Sequence, residues 1–385
     1  MGIEIMAHGK STMAGKTPLF TSKHDRPMVI AAFLGHQALG EFVMQHLTAA
    51  SIAGALPGSK LGVIYRDDRS YKNFITLMNP YVSATIRIPA GNNAVIPLDW
   101  FDGDDDAPNR PFDAAWRDQG FHNPDIFLTP SMLDIGRCLA PTPVLRIPPH
   151  MTDILSQSLV QRGVDRDRWF ACVHMREPHY FWRYDVDPFR NVDPKSYLPM
   201  ISNIINKQGG QVVRLGDPSM TPFPEMDGLI DLSRSDNNFP EQAFALSRAR
   251  FFVGAESGTT QLASAMKAPA VTSNVHSAIG VWNDGDVAMV KKSVLPDGNI
   301  IAPRDMLKSG ALTIHTLRPV GIKKIDNTPD ELIAVADHMY KITSDCVAWR
   351  KEITEEPNTH ASSSGISLPL QWRHIHEYAD LTLWE

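Results

Sequence analysis

The chain has 385 residues, 43% hydrophobic and 21% charged, an ordinary globular composition; that length calls for two domains of about 150–200 residues each. Lys and Arg number 37 against 43 Asp and Glu, and the net charge of −6 excludes a surface built to coat nucleic acid. Cys138, Cys172 and Cys346 are widely spaced and odd in number, which excludes a disulfide framework and a Cys-x-x-Cys metal site and points to a reducing cytoplasm.

Residues 1–26 are polar and rich in Gly, Ser, Thr and Lys; they read as a flexible leader without the apolar core of a signal peptide. No run approaches the roughly 18 continuous apolar residues of a membrane span. The first element is the apolar strand 27–33, followed by a glycine-bearing turn and a helix to about residue 55. Residues 60–65, 83–88, 125–128 and 144–147 read as further strands. Strands alternating with helical segments imply βαβ units and a mostly parallel sheet.

The loop 101–111 and the residues just after it place Asp102, Asp104, Asp106 and Asp113 at calcium-loop offsets. Ala107 stands where that loop needs glycine, Asp113 where it needs glutamate, and Pro108 and Pro111 break the flanks. A solvated acidic loop is the expectation, and no metal site is expected here or at His374-Ile-His376.

After Pro148-Pro149 the alternation restarts. Strands are expected at 169–174, 211–216, 228–232, 251–254 and 270–273, with helices at 194–207, 240–249 and 258–266. Asp193 would cap the first of these helices and Gly209-Gly210 would stop it. A late helix over 328–349 and a segment at 370–383 flank a Ser-rich linker at 358–365. The organisation expected is an α/β chain of two Rossmann-like domains facing across a cleft. The leader occupies 1–26, an acceptor domain 27–150, a donor domain 151–328, and C-terminal helices 329–385 that pack back on the first domain.

Ligands of open α/β sheets sit at the carboxyl ends of the strands, which singles out His174 with Arg176, Arg214 with Gly216, and the turn Glu256-Ser257-Gly258-Thr259-Thr260. Arg176 offers the bidentate cation that a diphosphate needs, although a strand-end ion pair would use the same residue. The turn before the helix at 258 forms an anion cradle from backbone N–H groups and hydroxyls, although capping alone would also select Ser and Thr. Capping does not explain Glu256, whose carboxylate suits a ribose diol. Arg190 and Asn191 follow the aromatic stretch 179–184 and are secondary candidates. In the first domain His36 is the preferred general base and Glu41 the alternative; a first-turn acid also favours the helix dipole. Residues 291–324 carry a net +5, either a field that draws an acidic substrate or a solvated face.

The His174-Met-Arg176 strand end together with the Gly-x-Glu-Ser-Gly turn resembles the donor domain of fucosyltransferase-like glycosyltransferases of the GT-B fold. Residues 165–275 also resemble a bacterial family of putative glycosyltransferases, through His174-Met-Arg-Glu, Arg190-Asn-Val-Asp-Pro-Lys-Ser-Tyr197, Val213-Arg-Leu-Gly216 and Phe252-Val-Gly-x-x-Ser-Gly258. The resemblance implies that Arg176 and the hydroxyls of the later turn hold the diphosphate of a GDP or UDP sugar. It also implies transfer to a hydroxyl acceptor, a glycan, natural product or peptide, in carbohydrate biosynthesis; because an arginine and a helix dipole can neutralise the leaving group, no divalent ion is expected. Fucosyltransferase-like enzymes commonly carry a second arginine after the first, where this chain has Glu177. A sugar-nucleotide epimerase or a non-catalytic nucleotide-sugar-binding protein would use the same architecture. A dinucleotide oxidoreductase is disfavoured, since its Gly-rich fingerprint is missing after strand one.

Overall fold

A computed structural model describes residues 27–90, 117–119, 124–135, 144–178, 188–235, 238–276, 286–301 and 321–351. The expected leader, acidic loop, aromatic stretch 179–184, Ser-rich linker, His374-Ile-His376 and terminal segment lie outside those residues, as do Arg304, Lys308 and Arg318 of the basic stretch.

The first sheet holds β1 (Val29–Leu34), β2 (Lys60–Asp67), β3 (Val82–Pro89) and β4 (Ile126–Leu128), all parallel in the order β3-β2-β1-β4. Its central strand is buried at nearly every position, as parallel strands with covered faces are. The helices are α1 (Leu39–Ala55), α2 (Ser70–Met78) and α3 (Pro130–Ile135).

The second sheet holds β5 (Phe170–His174), β6 (Gln211–Arg214), β7 (Leu229–Asp231), β8 (Phe251–Ala255), β9 (Ala270–Val275) and β10 (Val287–Val290). Its order is β10-β9-β8-β5-β6-β7, every neighbouring pair parallel. The chain steps outward from β5 to β7 and returns to continue from β8 on the other side. The winding direction therefore reverses between β5 and β8, and a crevice opens at that switch point. Around this sheet lie α4 (Thr152–Gln161), α5 (Leu198–Asn206), α6 (Phe239–Arg248), α7 (Gly258–Ala265) and α8 (Pro329–Ile342). A small antiparallel sheet of β11 (Lys292–Val294), β12 (Ile300–Ile301) and β13 (Lys323–Ile325) has no counterpart in the sequence reading.

Three expectations need correction. Residues 144–147 are almost fully buried at Val144, Leu145 and Ile147 but join no strand ladder. The Arg146 N–H donates to the Met78 carbonyl, 2.9 Å, at the end of α2, and the Leu145 N–H to the Ala265 carbonyl, 3.0 Å, at the end of α7. The connection thus satisfies orphan carbonyls of a helix in each half. The helix expected at 194–207 begins as a 3-10 turn, Pro194–Tyr197, because the Asp193 carboxylate accepts from the Lys195 N–H. The late helix starts with a capping box of Thr328 and Glu331 but stops at Ile342, where the Thr343 N–H and hydroxyl both donate to the Met339 carbonyl. Its apolar face, Leu332, Val335, Ala336 and Met339, packs in the core that holds Met200, Ile201 and Ile204 of α5.

Among the described residues the halves meet at α1 with α7 and at α2 with α6. α1 and α7 touch at Gly40 and Gly258, where a Cβ on Gly258 would lie 2.7 Å from the Gly40 nitrogen. Phe239, at the start of α6, packs against Tyr71 and Phe74 of α2 with ring centroids 5.7 and 6.2 Å away.

Candidate active-site cleft

The crevice at the switch point encloses about 360 Å³. Glu41, Ser70 and Tyr71 line it from the first domain, facing His174, Arg176, Arg190, Ser257 and Thr259 from the second. The residues chosen at the ends of β5 and β8 thus come together, although 83 positions separate His174 from Ser257.

His174 ends β5 and is 9% exposed. Its Nδ1 lies 3.1 Å from the Ser257 hydroxyl. Burial pushes its imidazole down to about 4; Asp217 opposes this, and Arg214 and Arg176 add to it. The ring is therefore neutral at pH 7. When the Ser257 hydroxyl donates to Nδ1, the proton resides on Nε2, so a neutral donor serves a site that already contains two guanidinium groups.

Arg176 also lines the cleft, its Nη1 donating to Asn191 Oδ1 at 2.6 Å. The Asn191 carbonyl in turn accepts from Lys291 Nζ at 2.8 Å, and the Val192 N–H donates to the Arg176 carbonyl at 3.1 Å. Asn191 thus orients Arg176. Arg190 reaches the cleft wall with its Nε donating to the Glu256 carbonyl, 3.3 Å. Ser257 is the N-cap of α7, and Gly258 and Thr259 form its first turn at the cleft, where unpaired N–H groups and the helix dipole favour an anion.

Five of the sequence candidates lie off the cleft lining: Asn191, which backs Arg176, and four others. Arg214 has no exposed surface: it pairs with Glu177 at 3.3 Å and Asp231 at 3.2 Å and stacks on Phe223 at 3.8 Å. It cannot touch a ligand as placed. The Glu256 carboxylate is turned to His276, accepting from its backbone N–H at 3.2 Å and lying 2.7 Å from its Nδ1; it is not among the lining residues. The Thr260 hydroxyl is buried and donates to the Ala255 carbonyl at 2.9 Å, tying the first turn of α7 back to the end of β8. His36 lies in the turn after β1 but off the cleft lining, whereas Glu41 is on it. Gly216 lines the cleft with φ of +148°, where a Cβ would collide with Met220 Sδ at 2.0 Å.

The sequence reading missed Ser70, Tyr71, Asn238 and Gln242. Ser70 and Tyr71 follow β2, so the strand-end rule applied to the first domain would have found them. Gln242 clamps the floor: its amide accepts the Gly216 N–H at 2.9 Å and donates to the Gly216 carbonyl at 2.7 Å. No signal in the sequence announces that pairing. In the basic stretch Lys291 is 2% exposed and bonded to Asp326 at 2.7 Å, so it belongs to the interior wall behind Asn191. Lys324, held down to about 8 first by burial and then by Lys291, lies nearby.

No protein-family model matches the sequence, and no curated protein matches it. Solved structures do match. One is a glycosyl transferase of family 9 from Veillonella parvula DSM 2008, with TM-score 0.51 and 10% identity over 84% of this chain and 100% of that one. Another is the E. coli ADP-heptose lps heptosyltransferase II, with TM-score 0.52 and 10% identity over 82% of this chain and 100% of that one. The architecture is that of the GT-B glycosyltransferases, two Rossmann-like domains facing across a cleft.

Proposed function

We propose that this chain is a glycosyltransferase that moves a sugar from a nucleotide-diphosphate donor to a hydroxyl acceptor. The observation that carries the reading is the convergence of Arg176, Arg190, His174 and the N-terminus of α7 on one cleft at the switch point. Fixed cations and oriented N–H groups meet where a leaving diphosphate would gain charge, and preorganised donors act most strongly at such a place. The His174-Met-Arg176 likeness to fucosyltransferase-like enzymes belongs to the same reading. The name of the second structural neighbour carries ADP-heptose, so adenosine diphosphate joins guanosine and uridine diphosphates as a donor class to test.

In this reading the acceptor hydroxyl lies toward Glu41, Ser70 and Tyr71. The Glu41 carboxylate takes its proton as the acceptor oxygen bonds to the anomeric carbon and the bond to the diphosphate oxygen breaks. Glu41 replaces His36 as first candidate because it is the one on the cleft lining. Arg176, Arg190 and the α7 amides supply the positive charge, and a divalent ion is not required. The thiols Cys172 and Cys346 suit a reducing cytoplasm; among the described residues no helix is long and apolar enough to cross a membrane.

A thermal-shift panel of nucleoside diphosphates and their sugars tests the donor site. A ligand at about 100 times its Kd stabilises by about 2.7 kcal/mol, and Arg176→Ala removes that shift. A flat response across the panel would sink the donor assignment. Transfer measured with a chelator present should persist, and release of free nucleotide without any acceptor would favour the epimerase instead.

A further inference from the structure

Arg214 is an inner member of a run of four alternating charges. Its Nη2 lies 3.3 Å from Glu177 Oε1 and its Nη1 3.2 Å from Asp231 Oδ2; the same Asp231 oxygen lies 3.3 Å from Arg234 Nε. Both ends of the run hold one peptide unit. Glu177 Oε2 accepts the Thr221 N–H at 2.9 Å and also the Thr221 hydroxyl. Arg234 Nη1 donates to the Met220 carbonyl at 3.2 Å. The carbonyl of residue 220 and the N–H of residue 221 belong to the same amide. A carboxylate holds its positive end and a guanidinium its negative end.

The position of this ring matters. Glu177 follows Arg176 directly, and Asp217, Pro218 and Met220 form another wall of the same cleft. Buried ion pairs contribute little net stability compared with apolar packing of the same volume, so stability alone is a weak reason for four charges around one peptide. Specific geometry is a stronger one. Glu177 also stands where the resemblance expects a second arginine, and here its carboxylate is spent on Arg214 and Thr221 instead of repelling a phosphate.

We propose that Glu177, Arg214, Asp231 and Arg234 form a positioning ring that fixes the 217–221 wall against the strand end carrying Arg176. One ligand would then be gripped at its diphosphate and along that wall with a single geometry. This rests on reading the cleft as a nucleotide-sugar site. Each member acts through the backbone it holds and none is a catalytic residue.

The test uses Arg234→Ala, at the ring's half-exposed end, and Glu177→Gln, which keeps the side chain's shape. Amide hydrogen exchange over 217–221 is read in the ligand-free full chain, and Kd is read for whichever nucleoside diphosphate the wild type binds. Each variant is expected to speed exchange in that segment and to weaken binding about tenfold, since small misplacements of binding groups are costly. The double variant should be no worse than the poorer single, because members of one network do not act independently. Unchanged exchange in Arg234→Ala overturns the ring, as do faster exchange with unchanged Kd or effects that simply multiply. Should Glu177→Gln fail to fold, exchange and Kd of Arg234→Ala decide the matter. A wild type that binds no nucleoside diphosphate overturns the donor-site reading, while ligand-free exchange still decides whether the ring holds the wall.

Discussion

His174 and His46 are both buried imidazoles whose protonation is suppressed, to about 4 and about 3, with burial the first cause in each. His46 sits with Thr76 at 3.1 Å and Asn79 at 3.2 Å inside the first domain, away from the cleft lining. An unfolded histidine titrates near 6.5. The native state thus binds fewer protons than the unfolded chain as pH falls from about 6.5 toward 4, and stability declines through that window. At pH 5 each imidazole costs on the order of 2 kcal/mol relative to pH 7. Urea unfolding at the two pH values should show the loss, and His174→Asn should remove about half of it.

The base proposed for the cleft gives a second expectation. Glu41→Gln should lower kcat by about 100-fold or more with little change in donor KM, whereas His36→Gln should leave kcat near wild type. Arg176, Ser257 and Thr259 were legible in the sequence because the strand-end rule locates Cα atoms at the crevice. Arg214, Glu256 and Thr260 satisfy the same rule, yet their side chains turn to Asp231, His276 and the Ala255 carbonyl. Those partners lie on other elements or in the preceding strand, and side-chain direction depends on them.

At the scale of elements, the first turns of α1 and α7 approach closely because Gly40 and Gly258 carry no Cβ. A methyl group on Gly258 would meet the Gly40 nitrogen at 2.7 Å and Leu39 Cβ at 2.8 Å. The nearest of these atoms is backbone and cannot swing away. Gly258→Ala should therefore force the helices apart at a cost of about 1–3 kcal/mol, lowering Tm and, because the same turn faces the cleft, weakening the proposed nucleotide binding as well. Calorimetry with and without nucleotide separates the two effects. The βαβ rhythm that produced these helices was readable, since runs such as 251–255 are continuously apolar and bounded by turns. Residues 144–147 show the limit of that signal. Their hydrophobicity reports burial, but only the Met78 and Ala265 carbonyls reveal that they bridge two helix ends instead of pairing with a strand.

At the scale of the molecule, the two sheets are not independent bodies joined by a thread. One continuous apolar cluster runs from Phe42, Tyr65 and Phe74 of the first domain to Phe244, Phe252 and Leu262 of the second. Phe239 is packed against this cluster from α6, its ring tilted against Tyr71 and edge-on to Phe74. Shared burial of this kind couples the unfolding of both halves, so the wild-type chain should melt in a single calorimetric transition. Truncating Phe239 removes the aromatic wedge where α2 meets α6. For a partly buried ring the loss is about 2–3 kcal/mol, at or below the low end for core phenylalanines. It falls on contacts between the halves more than within either one. Phe239→Ala should accordingly broaden or split the transition, with the second domain retaining the nucleotide-dependent shift proposed to run through Arg176 and Ser257. A single sharp transition lowered uniformly in Tm would instead place the coupling in the α1–α7 contact, which Gly258→Ala then probes directly.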